Sequence, residues 1–394
     1  MQRYRNQILA GLLFMSMVLI AVIAITGAGE LASQLQDFPL WIFIPVFLLK
    51  CVNWALRYIE WRYFLGVIGV RTVRRGPSSP GDPPTIRERD SVVLWLAGLT
   101  LSISPGKLAE VLKALVLKNL TGMEFSRGAP VVFLERLVDG LAVIPLTTAA
   151  LLTVAGSFDR ASDLSINTVT AILLGTTIAL GVGMAIIQYR PLALGMLDQV
   201  KKLPILRRFE GAIRNLYESS YDLVKLRHLL PTILLGLGAY TTDCIGFYLI
   251  LRGLGMDGTW TLFGQATFIL GFSVIVASLS TLPGGAGGRE LTIGAMLTSM
   301  VGLSKTDAGT ATFLISIFQL WVGVLLGLID DLVDRRLEAK RRARTLAAGS
   351  NERHGLEALS AAMKIVVNSA YGYLGAVGLT RFSDVHAANE VTRR

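Results

Sequence analysis

Charged residues are scarce in this sequence. They account for 17% of its 394 residues, whereas hydrophobic residues account for 52% and the mean hydropathy is +0.56. A soluble domain carries about a quarter charged residues, so this composition excludes an ordinary soluble globular protein. Long apolar runs predict several membrane-spanning helices. We therefore expect an all-α polytopic membrane protein.

Cysteine and histidine are rare as well. The two cysteines, Cys51 and Cys244, both lie in apolar segments, and the three histidines are scattered along the chain. Neither residue type has the spacing of a zinc site or of a disulfide framework. The sequence also lacks the G-x-x-x-x-G-K-[ST] pattern of a nucleotide-binding loop. We accordingly expect no metal, no other cofactor and no ATP hydrolysis by this chain.

Basic residues outnumber acidic ones, and the net charge is +10. The excess lies mainly in a few loops and in the region after residue 334, which argues against a nucleic-acid partner. Basic loops between apolar helices mark the cytoplasmic side of a membrane protein. The pattern predicts a multi-pass protein of the cell membrane with both termini in the cytoplasm.

Six apolar segments are long enough to cross a bilayer. We predict full spans at residues 7–29, 38–65, 129–158, 164–189, 229–251 and 308–329. Residues 30–37 are predicted to form a short acidic loop between the first two spans. Residues 190–227 are rich in lysine and arginine and are predicted to be cytoplasmic.

Two further apolar segments contain Pro-Gly breaks, and we predict that each forms a re-entrant hairpin. The first begins with an apolar run at residues 91–105 that is too short for a comfortable span, and the second covers residues 259–304. Non-helical backbone at membrane depth is tolerated where protein or a water-filled cavity covers it. Because the hairpins enter from opposite sides, we expect an inverted repeat of the transporter kind. The helix breaks are Pro105, Gly106, Pro283, Gly284 and Gly285.

Charged residues follow both breaks, where free backbone amides at a helix start favour anions. After the first break, steps of three residues place three charges on one helix face. Charges inside apolar membrane segments are costly and indicate function by default. The predicted substrate-binding residues are Lys107, Glu110, Lys113, Glu135, Arg136, Asp139, Arg289 and Glu290, and the secondary candidates are Asn53, Arg57, Asp243 and Gln319.

Several of these charges have a purely structural alternative. Arg57, Glu60 and Arg62 could lie at the cytoplasmic interface, where long side chains reach water. Glu135, Arg136 and Asp139 could form buried pairs that only orient helices. Asp243 could hydrogen-bond a neighbouring helix. The sequence leaves these alternatives open.

Three motifs carry a family resemblance. They read P-G-K-L-A-E-V-L-K-A, E-R-L-V-D and L-P-G-G-A-G-G-R-E-L-T, in this order. Together they resemble the flippase-type membrane domain of lysylphosphatidylglycerol synthases and its stand-alone relatives, over residues 1–340. The resemblance implies an integral membrane protein that moves or handles a polar lipid. Residues 341–394 do not resemble the soluble acyltransferase-like domain of two-domain members, so we expect translocation rather than synthesis.

The last part of the chain, a basic linker and tail, carries a second resemblance. The segment K-I-V-V-N-S-A-Y-G is similar to the fingers motif of family B DNA polymerases, with Lys364, Asn368 and Tyr371 at the nucleotide-facing positions. The similarity covers residues 356–394, which are too few to bury a core of their own. We expect an inactive remnant rather than an independent domain.

The favoured function is translocation of a polar, phosphate-containing lipid, with its anionic or zwitterionic head group in a cavity between the hairpins. One alternative is a membrane enzyme acting on a phospholipid or a polyprenyl phosphate, although the sequence shows no D-D-x-x-D-like set. Another alternative is a non-transporting partner of a lipid synthase. We favour a transporter over an enzyme and identify no catalytic residue. The lipid, the energy coupling and the oligomeric state are left open.

Overall fold

The computed structural model of the chain describes residues 2–73, 84–101, 110, 112–154, 166–200, 218, 220–221, 223–324, 341–345 and 353. These residues are predominantly helical, which confirms the all-α polytopic class. They divide into two compact units, Met1–Val322 and Gly323–Arg394. The charged cluster described below lies in the first unit. The predicted domain boundary at residue 340 stays a prediction.

Helices make up most of the first unit. They are α1 (Gln2–Thr26), α2 (Ala28–Asp37), α3 (Phe43–Val67), α4 (Glu88–Leu101), α5 (Leu112–Thr121), α6 (Phe125–Val154), α7 (Ile166–Gln188), α8 (Arg190–Val200), α9 (Leu226–Gly253), α10 (Trp260–Ser280), α11 (Gly288–Met296) and α12 (Lys305–Ser316). Short 3₁₀ turns at Leu40–Ile42 and Pro283–Gly285 precede α3 and α11, and π-helical turns at Leu297–Val301 and Ile317–Trp321 extend α11 and α12.

The N-terminal helix bends sharply at Gly27. This residue has a φ of 90°, and α2 leaves α1 at an angle of 85°. Glycine adopts this backbone region at little cost, so it accommodates the bend. The predicted acidic loop at residues 30–37 is wrong, because α2 keeps this segment helical. The Gln34 side chain donates a hydrogen bond to Asp307, which fastens α2 to α12.

Five helices within the described residues are long and apolar enough to cross a membrane. They are Leu40–Val67, Phe125–Val154, Leu226–Gly253, Trp260–Ser280 and Lys305–Val324, and the bent pair of α1 and α2 makes a sixth if it forms one span. Four of these helices coincide with predicted spans. α1 and α7 occupy the positions of the other two predicted spans. The remaining long helix, α10, is the first arm of the predicted second hairpin.

Apolar side chains pack these helices into a bundle. α3 packs along α9, and α10 packs along α6. One core cluster contains Phe247 and Phe268, and another contains Trp61 and Phe64. Many large apolar side chains outside these clusters stay exposed, including Ile20. Such an apolar exterior is the expected surface of helices that face lipid.

α10 and α11 form a helical hairpin around the second Pro-Gly break. Thr281, Gly284 and Gly285 all have positive φ, which turns the chain between the two helices. The Gln265 side chain, near the start of α10, donates a 3.3 Å hydrogen bond to the Met300 carbonyl. The chain after α11 therefore lies beside the start of α10. The turn between the two helices lies at Pro283–Gly285, and the inverted repeat stays a prediction.

α4 and α5 pack against each other on either side of the first break. Gly98 on α4 makes room for Lys113, because a Cβ at Gly98 would lie 2.9 Å from the Lys113 Cδ. Pro105, Gly106 and Lys107 lie outside the described residues. Before α4, two short strands, β1 (Arg71–Val73) and β2 (Thr85–Arg87), form a parallel pair.

Candidate functional site

A polar stripe runs along helix α3. Lys50, Asn53, Arg57 and Glu60 follow one another at steps of three or four residues, so they lie on one helix face. At 1.5 Å per residue, the stripe is about 15 Å long. Lys50, Asn53 and Glu60 are buried, and Arg57 is partly buried. Helices α6 and α9 supply charged partners for Arg57 and Lys50.

At one end of the stripe, Lys50 pairs with Asp243 of α9 at an N–O distance of 3.1 Å. Asn53 donates hydrogen bonds to the Ala239 carbonyl at 2.8 Å and to Asp243 Oδ2 at 3.2 Å. A pocket beside this pair is lined by Val46, Lys50, Thr242, Asp243, Gly246, Ile315, Phe318 and Gln319. Three of the secondary candidates, Asn53, Asp243 and Gln319, therefore come together here.

Farther along the stripe, Arg57 forms a partly buried ion pair with Asp139 of α6. The Tyr240 hydroxyl of α9 donates to Asp139 Oδ1 at 3.2 Å, and the Arg57 guanidinium lies 4.9 Å from the centre of the Tyr240 ring. Arg136 reaches the other oxygen of the same carboxylate at 2.8 Å. Asp139 thus joins two arginines from different helices. This geometry places Arg57 in the interior of the bundle.

Arg136 lies between two carboxylates but is not enclosed by them. Its Nε is 3.3 Å from Glu110 Oε2, which is an ion-pair distance, and neither of these buried atoms makes a hydrogen bond with the described residues. The Arg136 side chain is 37% exposed, whereas that of Glu110 is 4% exposed. The Arg136 side chain therefore keeps an accessible edge for a ligand beside these two carboxylates.

Lys113 and Glu135 form a closed pair. Lys113 Nζ lies 2.6 Å from Glu135 Oε2, and both side chains are buried. The same ammonium group lies 4.5 Å from the centre of the Trp61 ring. A buried charge needs such partners because its desolvation is costly. This enclosure favours the structural alternative for Glu135 and extends it to Lys113.

Glu60 has no comparable partner. It is 2% exposed, and its Oε1 makes no hydrogen bond within the described part of the chain. The cations nearby are engaged with other carboxylates, Arg57 with Asp139 and Lys113 with Glu135. Among the described residues, Glu60 is therefore the one carboxylate of this cluster without an ion pair. Its Oε1 atom also makes no hydrogen bond there.

The charges after the second break form a separate group. Arg289 Nη2 donates to Glu290 Oε1 at 2.7 Å, and the Ser316 hydroxyl of α12 donates to the same oxygen at 2.9 Å. The other oxygen, Glu290 Oε2, accepts from the Gly287 amide at 2.7 Å. Glu290 thus holds the start of α11 and its contact with α12. Among the described ion pairs and hydrogen bonds, none joins this group to Arg136, where the sequence predicted that they would meet.

The sequence-based candidates omitted Lys50, Glu60 and Tyr240. The spacing contained a signal for the first two, because they continue the face of Asn53 and Arg57 at steps of three. Tyr240 precedes Asp243 by three residues on α9 and carried no such charge signal. Among the described residues, no group of three or more histidine, cysteine, aspartate or glutamate side chains is arranged to hold a metal ion.

The fold and the site define a multi-pass helical membrane protein with a buried network of charges. The profile of the lysylphosphatidylglycerol synthase TM region matches residues 8–327, well over half of the chain. The chain therefore belongs to the lysylphosphatidylglycerol synthase TM region family, which confirms the first resemblance.

Similar proteins include two UPF0104 membrane proteins. The one from Methanothermobacter thermautotrophicus is 25% identical over 295 residues, 70% of this chain and 83% of that protein. The one from Pyrococcus horikoshii is 33% identical over 128 residues, 32% of this chain and 37% of that protein. A segment of 108 residues is 30% identical to the fructose import permease protein FruG of Bifidobacterium longum, covering 26% of this chain and 30% of that protein. No solved structure matches the chain.

The comparisons give no support to the polymerase resemblance of residues 356–394. These residues also lie outside the described part of the chain. The family assignment therefore rests on the helical region alone.

Proposed function

We propose that this chain moves a polar, phosphate-containing lipid between the two leaflets of a membrane. The observation that carries the proposal is the Arg136 side chain, which is 37% exposed although it pairs with the buried carboxylate of Glu110 and the partly buried carboxylate of Asp139. Guanidinium groups bind phosphate oxygens in bidentate geometry. A lipid head group is the phosphate source that a membrane supplies. Arg57, on the far side of Asp139, is the second cation within reach of such a group.

The cost of the charges supports a polar cargo. Insertion scales assign about 2.5–3.5 kcal/mol to one charged residue at the centre of a membrane-spanning helix. Such residues are retained where they face one another, water or a ligand. Lys113 and Glu135 face one another, whereas Arg136 keeps an accessible edge. That edge favours a ligand-binding role for Arg136 over a purely structural one.

The stripe on α3 supplies a path for the head group. Lys50 and Arg57 are seven residues apart, about 10 Å along the helix, and each pairs with a carboxylate of another helix. A head group passing from one cation to the next crosses part of the bilayer inside the bundle. The acyl chains meanwhile stay against the exposed apolar faces of the helices. Because the sequence has no nucleotide-binding loop, the movement runs down a gradient or is coupled to an ion.

Reconstitution tests this proposal. Purified protein is placed in vesicles that contain phosphatidylglycerol labelled on its head group, and the label's accessibility to a reagent outside the vesicles is followed over time. We expect transbilayer movement at least about tenfold faster than in protein-free vesicles, equivalent to a barrier lower by about 1.4 kcal/mol. Movement at the protein-free rate would contradict the proposal. Covalent change of the lipid, detected by mass spectrometry, would favour the enzyme alternative instead.

A further inference from the structure

The charge balance around Glu60 is uneven. Within the described residues, the cluster contains three cations, Arg57, Lys113 and Arg136, and four carboxylates, Glu60, Glu110, Glu135 and Asp139. Lys113 closes on Glu135, and the two arginines share Asp139 and Glu110. One carboxylate is therefore left over, and Glu60 is the one without an ion pair.

The groups around Glu60 do not resolve this imbalance. Arg57, one turn away on the same helix, attracts Glu60 electrostatically, but its hydrogen bond goes to Asp139. From α6, Glu60 interacts electrostatically with Glu135, Arg136 and Asp139, of which only one is a cation. Behind these residues, Lys113 of α5 is held by Glu135, and Tyr240 of α9 is held by Asp139.

An isolated carboxylate in such surroundings is stable when it is neutral. Burying an unpaired charge costs far more than burying a neutral acid, so the group takes up a proton if no cation arrives. A proton on Glu60 would leave the cluster with three positive and three negative side chains. An anionic head group arriving at Arg136 would then meet one negative charge fewer.

We propose that Glu60 is a proton-binding site linked to the binding of an anionic phosphodiester head group at Arg136. This inference rests on the proposed lipid-binding function. Where Glu60 is ionised before binding, one proton passes from water to its carboxylate as one head group binds, and it returns to water when the head group leaves. The proton and the monoanionic phosphodiester together carry no net charge. Because linkage is reciprocal, each ligand raises the protein's affinity for the other.

Calorimetric titration tests the linkage directly. The full chain in detergent is titrated with dihexanoylphosphatidylglycerol in two buffers of different ionisation enthalpy, which counts the protons taken up for each lipid bound. We expect the parent protein to take up as much as one proton per lipid. We also expect its affinity to rise as the pH is lowered from about 8 to about 6, by at most roughly tenfold per pH unit for a single proton.

Variants at two positions locate the proton. Glu60→Gln is expected to take up no proton and to bind the lipid equally well at both pH values. Glu60→Asp keeps a titratable group and should retain the uptake, which separates loss of the proton from loss of the fold. His228→Gln is the matched control, because histidine is the side chain that ordinarily titrates in this range, and its only hydrogen-bonded partner on α3 among the described residues is Tyr63.

The outcomes separate this inference from the proposed function. Proton uptake that persists in Glu60→Gln, uptake that disappears in His228→Gln, or lipid binding without uptake in the parent would each overturn the proton site alone. Failure of the parent to bind dihexanoylphosphatidylglycerol at either pH would overturn the proposed function as well. Equal proton-linked binding of dimethyl phosphate would place the linkage on the phosphodiester itself. If dihexanoylphosphatidylglycerol binds with proton uptake and dimethyl phosphate does not bind, the linkage requires a head group that carries acyl chains.

Discussion

At the scale of single residues, the charges of the bundle differ in how completely their neighbours enclose them. Lys113 and Glu135 form a buried ion pair, and Lys113 also contacts the Trp61 ring. Arg136 has two carboxylate partners and still keeps an accessible edge. Enclosure favours a structural role, and accessibility favours contact with a ligand. We therefore expect substitution of Lys113 to lower the stability of the protein and substitution of Arg136 to slow lipid movement.

Replacing Lys113 should cost stability. Lys113→Met leaves the buried carboxylate of Glu135 without its cation, and breaking a buried pair in this way typically costs about 3–5 kcal/mol. Combining it with Glu135→Leu removes the stranded charge and should recover most of the loss. Equilibrium unfolding of the purified variants measures both effects. The control is Arg62→Gln, which breaks the exposed pair with Glu88 and should cost at most about 1 kcal/mol.

Equal stability of Lys113→Met and Arg62→Gln would show that the Lys113 pair is not a structural element. A double variant no more stable than Lys113→Met would lead to the same conclusion.

The sequence predicted much of the site at this scale and missed parts of it for identifiable reasons. Charges inside apolar runs drew attention to Glu110, Arg136 and Asp139, which do lie together. Sequence spacing along one helix cannot show which partner on another helix completes a pair. The closure of Arg289 on Glu290, and the absence of an ion-pair partner for Glu60 among the described residues, therefore became visible only when the helices were packed.

At the scale of helices, the positions of glycine and proline were the most informative signal in the sequence. The break at Pro283–Gly285 was predictable because positive φ is cheap only for glycine. The helical state of α2 was not predictable from charge, since its acidic and polar residues suit either a loop or a helix that packs through a few side chains. Its hydrogen bond from Gln34 to Asp307 is a tertiary contact with no local signature.

The hairpin of α10 and α11 depends on Gly285. This residue has a φ of 69°, and a Cβ placed there would lie 2.6 Å from the Ala277 Cβ. Gly302 has a similar φ of 76° but open space around it, so it is a matched control for backbone strain alone. Both substitutions by alanine incur roughly 1–2 kcal/mol for the left-handed backbone. Gly285→Ala adds a steric clash.

We therefore expect Gly285→Ala to lower the melting temperature of the purified protein clearly more than Gly302→Ala does. Thermal unfolding, monitored by size-exclusion chromatography, compares the two variants. Equal melting temperatures would mean that α10 and α11 separate easily at the turn, contrary to the close approach of Gly285 to Ala277.

At the scale of the whole molecule, the charge bias of the loops predicts which ends of the helices face the cytoplasm. The turn before α6 contains Glu124 and is flanked by basic residues, whereas the turn after α9 contains Asp257. Both residues are exposed. In a background without the native cysteines, Asp257→Cys should react with an impermeant thiol reagent added to intact cells, and Glu124→Cys should react only after the membrane is opened. Labelling of Glu124→Cys in intact cells would contradict the predicted orientation.

The central claim is that lipid crosses the bilayer through the charged cluster around Arg136, and one comparison of rates tests it most directly. Head-group accessibility is followed in vesicles that contain the parent protein, Arg136→Gln, Glu110→Gln or Lys118→Gln. Lys118 lies on the exposed surface of α5 and serves as the control. We predict that Arg136→Gln and Glu110→Gln each move lipid at least about tenfold more slowly than the parent, a barrier higher by about 1.4 kcal/mol, while Lys118→Gln matches the parent. If the two cluster variants, recovered as folded protein, moved lipid as fast as Lys118→Gln, the cluster would be a packing device and the account would be wrong.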